Sequence, residues 1–161
     1  MDTELELYAR QIGGLIEQVV PAVEGLDEAQ LNRRPATEMN SVYVIAAHML
    51  GNMEAWVLGI VCEQDVQRDR VAEFSASGAD GAELASAARE LRSRVDAALG
   101  ALDPSALDEM REPLASHWGT GTPRPMSVRQ LLLSTIVHNA SHAGHLEITR
   151  ELTFARSARG G

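Results

Sequence analysis

IVHNASHAGHLEITREL, residues 136–152, is the stretch on which the reading of this chain turns. It places His138, His142 and His145 four and three residues apart in succession. An α-helix turns about 100° per residue, so such spacings return to within roughly 40° of one another. All three imidazoles therefore project from one helix face, together with Leu131, Thr135 and Thr149. That face reads as a core-facing stripe with imidazoles where leucines would be expected. A buried neutral imidazole without partners costs on the order of 1–3 kcal/mol in unmet hydrogen bonding. A divalent cation removes that cost by accepting the ring lone pairs, and two histidines at i and i+4 can share one ion. A third ligand must then come from another helix.

Working outward, Ser127 and Gln130 have capping-box spacing, which predicts a helix from there to about Leu152 with a frayed tail over 156–161. Upstream, Thr3 and Glu6 repeat that spacing and open a helix carrying Leu5, Tyr8, Ile12, Leu15 and Val19, ending around Val23 to Gly25. A polar connection with room for one short helical turn follows, and Asn40 or Ser41 caps a second long helix that fades near Glu63. Residues 64–79 read as a crossing connection. Asp80 caps a third long helix through Leu84, Ala88, Leu91, Val95 and Leu99, and Pro104 to Met110 can form another short one. Gly119, Gly121, Pro123 and Pro125 enforce an irregular loop that holds His117 and Trp118. Strand signals are weak. The expected architecture is all-α, a four-helix bundle with long crossovers and one domain over 1–155.

The second helix carries Val44, Ile45, His48, Ala55 and Leu58 on its apolar face. A lone histidine on such a face is ordinarily a hydrogen-bonded core residue. Its combination with an HxxxH pair on another helix makes His48, with His138 and His142, the candidate ligand set. His145 could ligate, hold a water at the ion, contact substrate or carry a proton. Asn52, Glu54, Glu147 and Thr135 are candidates for the acceptors that orient ligating imidazoles. Trp56 and Trp118 could wall a pocket, although core packing is the simpler account of Trp56.

The chain has 161 residues and a formal net charge of −9, so its average surface repels phosphate and nucleic acid is not expected as a partner. Cys62 is the only cysteine, which excludes an internal disulfide and a paired-cysteine metal site. The bland reading of Cys62 is a small buried apolar residue. Met1 to Leu7 is acidic and unlike a signal peptide, and no apolar run reads as long enough to span a membrane. A cytoplasmic location without membrane partners is the expectation.

With these residues in place, the chain resembles the DinB/YfiT-like superfamily, in particular its DinB-like branch. NSVYVIAAHMLGNMEAWV at 40–57 is similar to the family's second-helix pattern, and RDRVAEF at 68–74 resembles the segment after it. The last-helix pattern HxxxHxGQ is matched from His138, except that His145 stands where the family commonly has Gln. The resemblance implies a four-helix bundle, a three-histidine divalent metal site carried onto His48, His138 and His142, and often a homodimer. Related enzymes include mycothiol-dependent maleylpyruvate isomerase and bacillithiol S-transferases. The expected chemistry is transfer of a low-molecular-weight thiol to a small-molecule substrate. A metal-dependent hydrolase and a non-catalytic metal- or ligand-binding bundle are the alternatives. Zinc is the first expectation for the ion, with nickel or iron also compatible with imidazole ligands.

Overall fold

The computed structural model describes residues 3–118 and 122–157. The first helix, α1 (Glu4–Val23), starts where the Thr3 hydroxyl accepts from the Glu6 amide while the Glu6 carboxylate accepts from the Thr3 amide. This reciprocal cap satisfies two amides that the helix itself cannot. Gly25, at φ 77°, turns the chain away after α1, a conformation that costs other residues more. A short helix, α2 (Glu28–Asn32), is capped in the same reciprocal way by Asp27 and Gln30.

Ser41 accepts from the Val44 amide and opens α3 (Val42–Met53), which continues without interruption into a π-helical segment, Glu54–Val61. At its end the Cys62 amide donates five residues back, to the Val57 carbonyl, at 2.9 Å. The wider register lets Ala55, Val57, Leu58, Ile60 and Val61 all be buried. The predicted second helix thus has the expected limits, and its change of register is new information.

By length and mean hydropathy, 1.5, the stretch Val42–Val61 also passes as a membrane span, contrary to the expectation that no such run exists. Its window is 72% buried among the other helices, so the bundle core accounts for its apolarity.

In the following connection, Asp69 caps a four-residue helix, α4 (Arg70–Glu73). Asp80 then caps α5 (Gly81–Ala101) as the sequence predicts. A 3₁₀ turn (Pro104–Asp108) leads to β1 (Met110–Arg111), which pairs antiparallel with β2 (Met126–Ser127). Two residues are too few to leave an alternating pattern, so the hairpin was invisible to periodicity. Gly119 and Gly121, part of the predicted loop, lie outside the described residues.

Ser127 and Gln130 exchange the predicted capping hydrogen bonds at the start of α6 (Val128–Ser157). This helix runs past the predicted end at Leu152, so residues 156 and 157, read as frayed, are helical, and residues 158–161 lie outside the described residues.

The four long helices form a bundle in which α1 packs along α5 and α6, and α3 packs against α6. Their apolar faces meet in one cluster that includes Ile12, Ile16, Met49, Met53, Leu99, Leu131 and Leu146. The α3 to α6 contact brings the second-helix and last-helix histidines together.

Candidate metal centre

On α6 the buried line runs through Leu131, Thr135, Asn139, Leu146 and Thr149. His138 and His145 are exposed and His142 is half-buried. The imidazoles therefore sit along one margin of the core stripe and not within it, a correction to the sequence reading. The margin faces α3, where His48 is only 3% exposed.

One ring nitrogen from each of His48, His138 and His142 lies within 4.8 Å of the other two. His48 Nε2 and His138 Nε2 are 3.3 Å apart, and the His138 and His142 ring centroids are 4.5 Å apart. His145 stands outside this cluster, exposed, with its ring 5.9 Å from that of His142.

Glu73 orients the cluster. Its Oε2 lies 2.7 Å from His48 Nδ1, and Arg68 clamps both carboxylate oxygens with Nε and one terminal nitrogen at 2.6 and 2.9 Å. Burial pushes the Glu73 carboxyl up, but the hydrogen bonds from His48 and Arg68 outweigh it and the net shift is downward. A charged carboxylate takes the proton on His48 Nδ1, which leaves the Nε2 lone pair aimed at His138. Three imidazoles with at least one lone pair directed inward are a donor set that fits a divalent transition ion. Burial, then the charges of His48, Arg68 and Arg70, lower the His138 pKa. Burial, then His138, His48 and His145, push His142 down to about 4. Both rings are thus neutral, the form in which imidazole coordinates metal.

Glu73 can come this close because residue 51 is glycine. A Cβ on Gly51, three residues beyond His48, would lie 2.5 Å from Glu73 Oε1. None of the acceptors expected from sequence does this work. Asn52 accepts from Asn139 at 2.8 Å, Glu54 pairs with Arg94, and Thr135 donates to the Leu131 carbonyl. Glu147 is exposed. Glu73 and Arg68 both fall in RDRVAEF, the segment noted for its resemblance, but spacing alone gave them no role.

Beside the triad lies a cavity of about 330 Å³ lined by His48, Trp56, Arg68, Arg70, His117 and His138 among others. Trp56 stacks on Trp118 with ring centroids 5.6 Å apart and donates its indole N–H to the His117 carbonyl at 3.0 Å. Trp56 walls the cavity, and Trp118 backs it through the ring stack. His117 is 4% exposed, with Nε2 3.3 Å from the Val66 carbonyl, and burial lowers its pKa. On the other side of His142, a hollow of about 280 Å³ is lined by Glu38, Asn40, Ile45, His142 and His145, among others.

This combination of helical bundle and interhelical histidine cluster defines a protein of the DinB/YfiT-like superfamily. Residues 12–154 match the mycothiol-S-transferase family, and the chain belongs to it. No curated protein matches the sequence. Among solved structures, the chain is similar to YfiT from Bacillus subtilis, a probable metal-dependent hydrolase with an unusual four-helix bundle topology. The TM-score is 0.69 at 16% identity, covering 98% of this chain and 91% of that one. A DinB-like protein from Bacillus cereus gives 0.68 at 13% identity, covering 91% and 89%. A conserved protein from Enterococcus faecalis gives 0.66 at 15% identity, covering 96% and 99%. At these identities the likeness is one of fold.

Proposed function

We propose that His48, His138 and His142 hold one divalent transition-metal ion, zinc by first expectation, and that the protein uses it to transfer a low-molecular-weight thiol to an electrophilic small molecule. The observation that carries this reading is the convergence of three imidazole nitrogens within 4.8 Å, in a chain of the mycothiol-S-transferase family. A bound ion with three neutral ligands keeps most of its positive charge and has open positions, so it would supply Lewis acidity toward a thiol or water.

The chain's own residues do the rest. Glu73 and Arg68 hold the His48 ring in the productive tautomer. Trp56, backed by Trp118, shields one side of the site from water, and the two hollows flanking the triad give thiol and electrophile separate approaches. With monochlorobimane as electrophile, the thiol sulfur forms a C–S bond as the C–Cl bond breaks, releasing chloride and one proton. His145, exposed beside His142, carries that proton to solvent. A cytoplasmic homodimer acting on small molecules, without nucleic-acid or membrane partners, completes the proposal.

Elemental analysis of untagged protein is expected to give one equivalent of metal per chain, and mycothiol plus monochlorobimane to turn over on the loaded protein. His142→Ala should lose both. Less than a tenth of an equivalent, with no uptake on reloading, would sink the proposal.

Metal-dependent hydrolysis is a second reading, supported by the description of YfiT. It would be favoured by turnover of an ester panel without added thiol. One equivalent of metal with no turnover in either assay would favour a binding module.

A further inference from the structure

The cavity on the tryptophan side has a lopsided chemistry. It lies in a chain of net charge −9, yet Arg68, Arg70 and three histidines line it and, among the described residues, no carboxylate does. The Arg68 charge is spent on Glu73, whose two oxygens it clamps. Arg70 is different. Its guanidinium lies over the Phe74 ring, 5.1 Å from the centroid, and among the described residues no carboxylate lies within ion-pair distance of it. Phe74 in turn packs 5.1 Å from the His48 ring, so this cation is held beside the triad by an aromatic face and not by an acid.

The neutral groups lining the cavity can also donate. The Asn52 carbonyl oxygen is taken by Asn139, which leaves its NH₂ as the unused end, and the Ser134 hydroxyl has no partner among the described residues. The hollow on the far side of His142 contains Glu38 instead.

We infer that the cavity between Trp56 and Arg70 is the seat of a carboxylate-bearing aromatic or unsaturated small molecule, its acid group bound by the Arg70 guanidinium and its body against Trp56. The inference deepens the proposed function by naming the class of the electrophilic partner, and it rests on that reading for the reaction though not for the binding. A guanidinium held on a ring face keeps all its N–H donors free, and a carboxylate can take two of them side by side. Held there, the rest of the molecule lies along the cavity toward His48 and His138.

The chain has two tryptophans, Trp56 lining the cavity and Trp118 stacked on it, so tryptophan emission reports on this site. Zinc-loaded full-length protein is titrated with phenylpropionate and with its uncharged amide. The acid should bind about tenfold or more tightly than the amide, as a charge-assisted pair implies. Arg70→Gln should erase that difference without changing the zinc content or the helical circular dichroism, and Arg70→Lys should retain part of it.

Equal affinities in the unsubstituted protein would overturn the inference. So would a preference for the acid that survives in Arg70→Gln, which would place the carboxylate on the ion. Repeating the titration after zinc is stripped separates the two proposals. An Arg70-dependent preference in protein that never takes up zinc would uphold the anion seat while the metal reading fails. Disappearance of the preference on stripping, with Arg70 intact, would overturn the seat itself.

Discussion

The Glu73 carboxylate lies 2.7 Å from His48 Nδ1 across 25 residues of sequence and is fixed there by Arg68, whose side chain is 3% exposed. Glu73 is a positioning residue. Glu73→Gln keeps an acceptor oxygen but removes the charge that selects the Nδ1–H tautomer, and it leaves a buried guanidinium uncompensated. Zinc affinity should fall about 10- to 100-fold, measured by competition with a chromophoric chelator. Gly51→Ala should act in the same direction, because its methyl would occupy the place of Glu73 Oε1. Unchanged affinity in both variants would show that His48 orients itself.

Acid should destabilise the metal-free protein in a defined window. His142 titrates at about 4 in the fold against an ordinary value of 6.5, and His138 is shifted the same way. Above about pH 6.5 neither state takes up these protons and this contribution to stability is complete. Between 6.5 and about 4 the unfolded chain binds protons that the folded one refuses, so stability falls as pH drops through that range. Urea midpoints measured across the window should decline, and His142→Ala should flatten the slope.

Cys62 should be a bystander. Burial pushes its thiol up to about 11, with Arg111 offsetting part of the shift, so at neutral pH it is almost wholly protonated and a poor nucleophile. Cys62→Ser should leave transfer of added thiol unchanged, and iodoacetamide should label the folded protein many times more slowly than the denatured one. A substitution that abolished turnover without unfolding the chain would return Cys62 to the chemistry.

Most of the fold could be read in advance because its punctuation is local. Thr3 with Glu6, Asp80, and Ser127 with Gln130 mark helix starts by side-chain hydrogen bonds that span three residues or fewer. The convergence of His48 with His138 and His142 was legible because the HxxxH spacing puts two imidazoles on one side of a helix and His48 stands among the apolar residues of another. Glu73 was not, since it sits on a four-residue helix whose direction is set only by packing on α3. Arg70 was hidden for the same reason. The marginal placement of His138 and His145 was missed because a periodicity assigns a face only to within a few tens of degrees, and here that decides between core and rim. The π segment left no trace because Glu54–Val61 is apolar on nearly every side, which suits either register.

That segment gives the length of the chain at this point a meaning of its own. A helix in the wider register carries surplus backbone, so everything past Met53 is out of phase with the turn that bears His48. Trimming a single residue there would let the coil tighten to the ordinary pitch and swing the Trp56 indole off the His117 carbonyl. The His48 backbone, which precedes the segment, would keep its place. The shape of the chamber beside Trp56 is therefore tied to the residue count of this one segment.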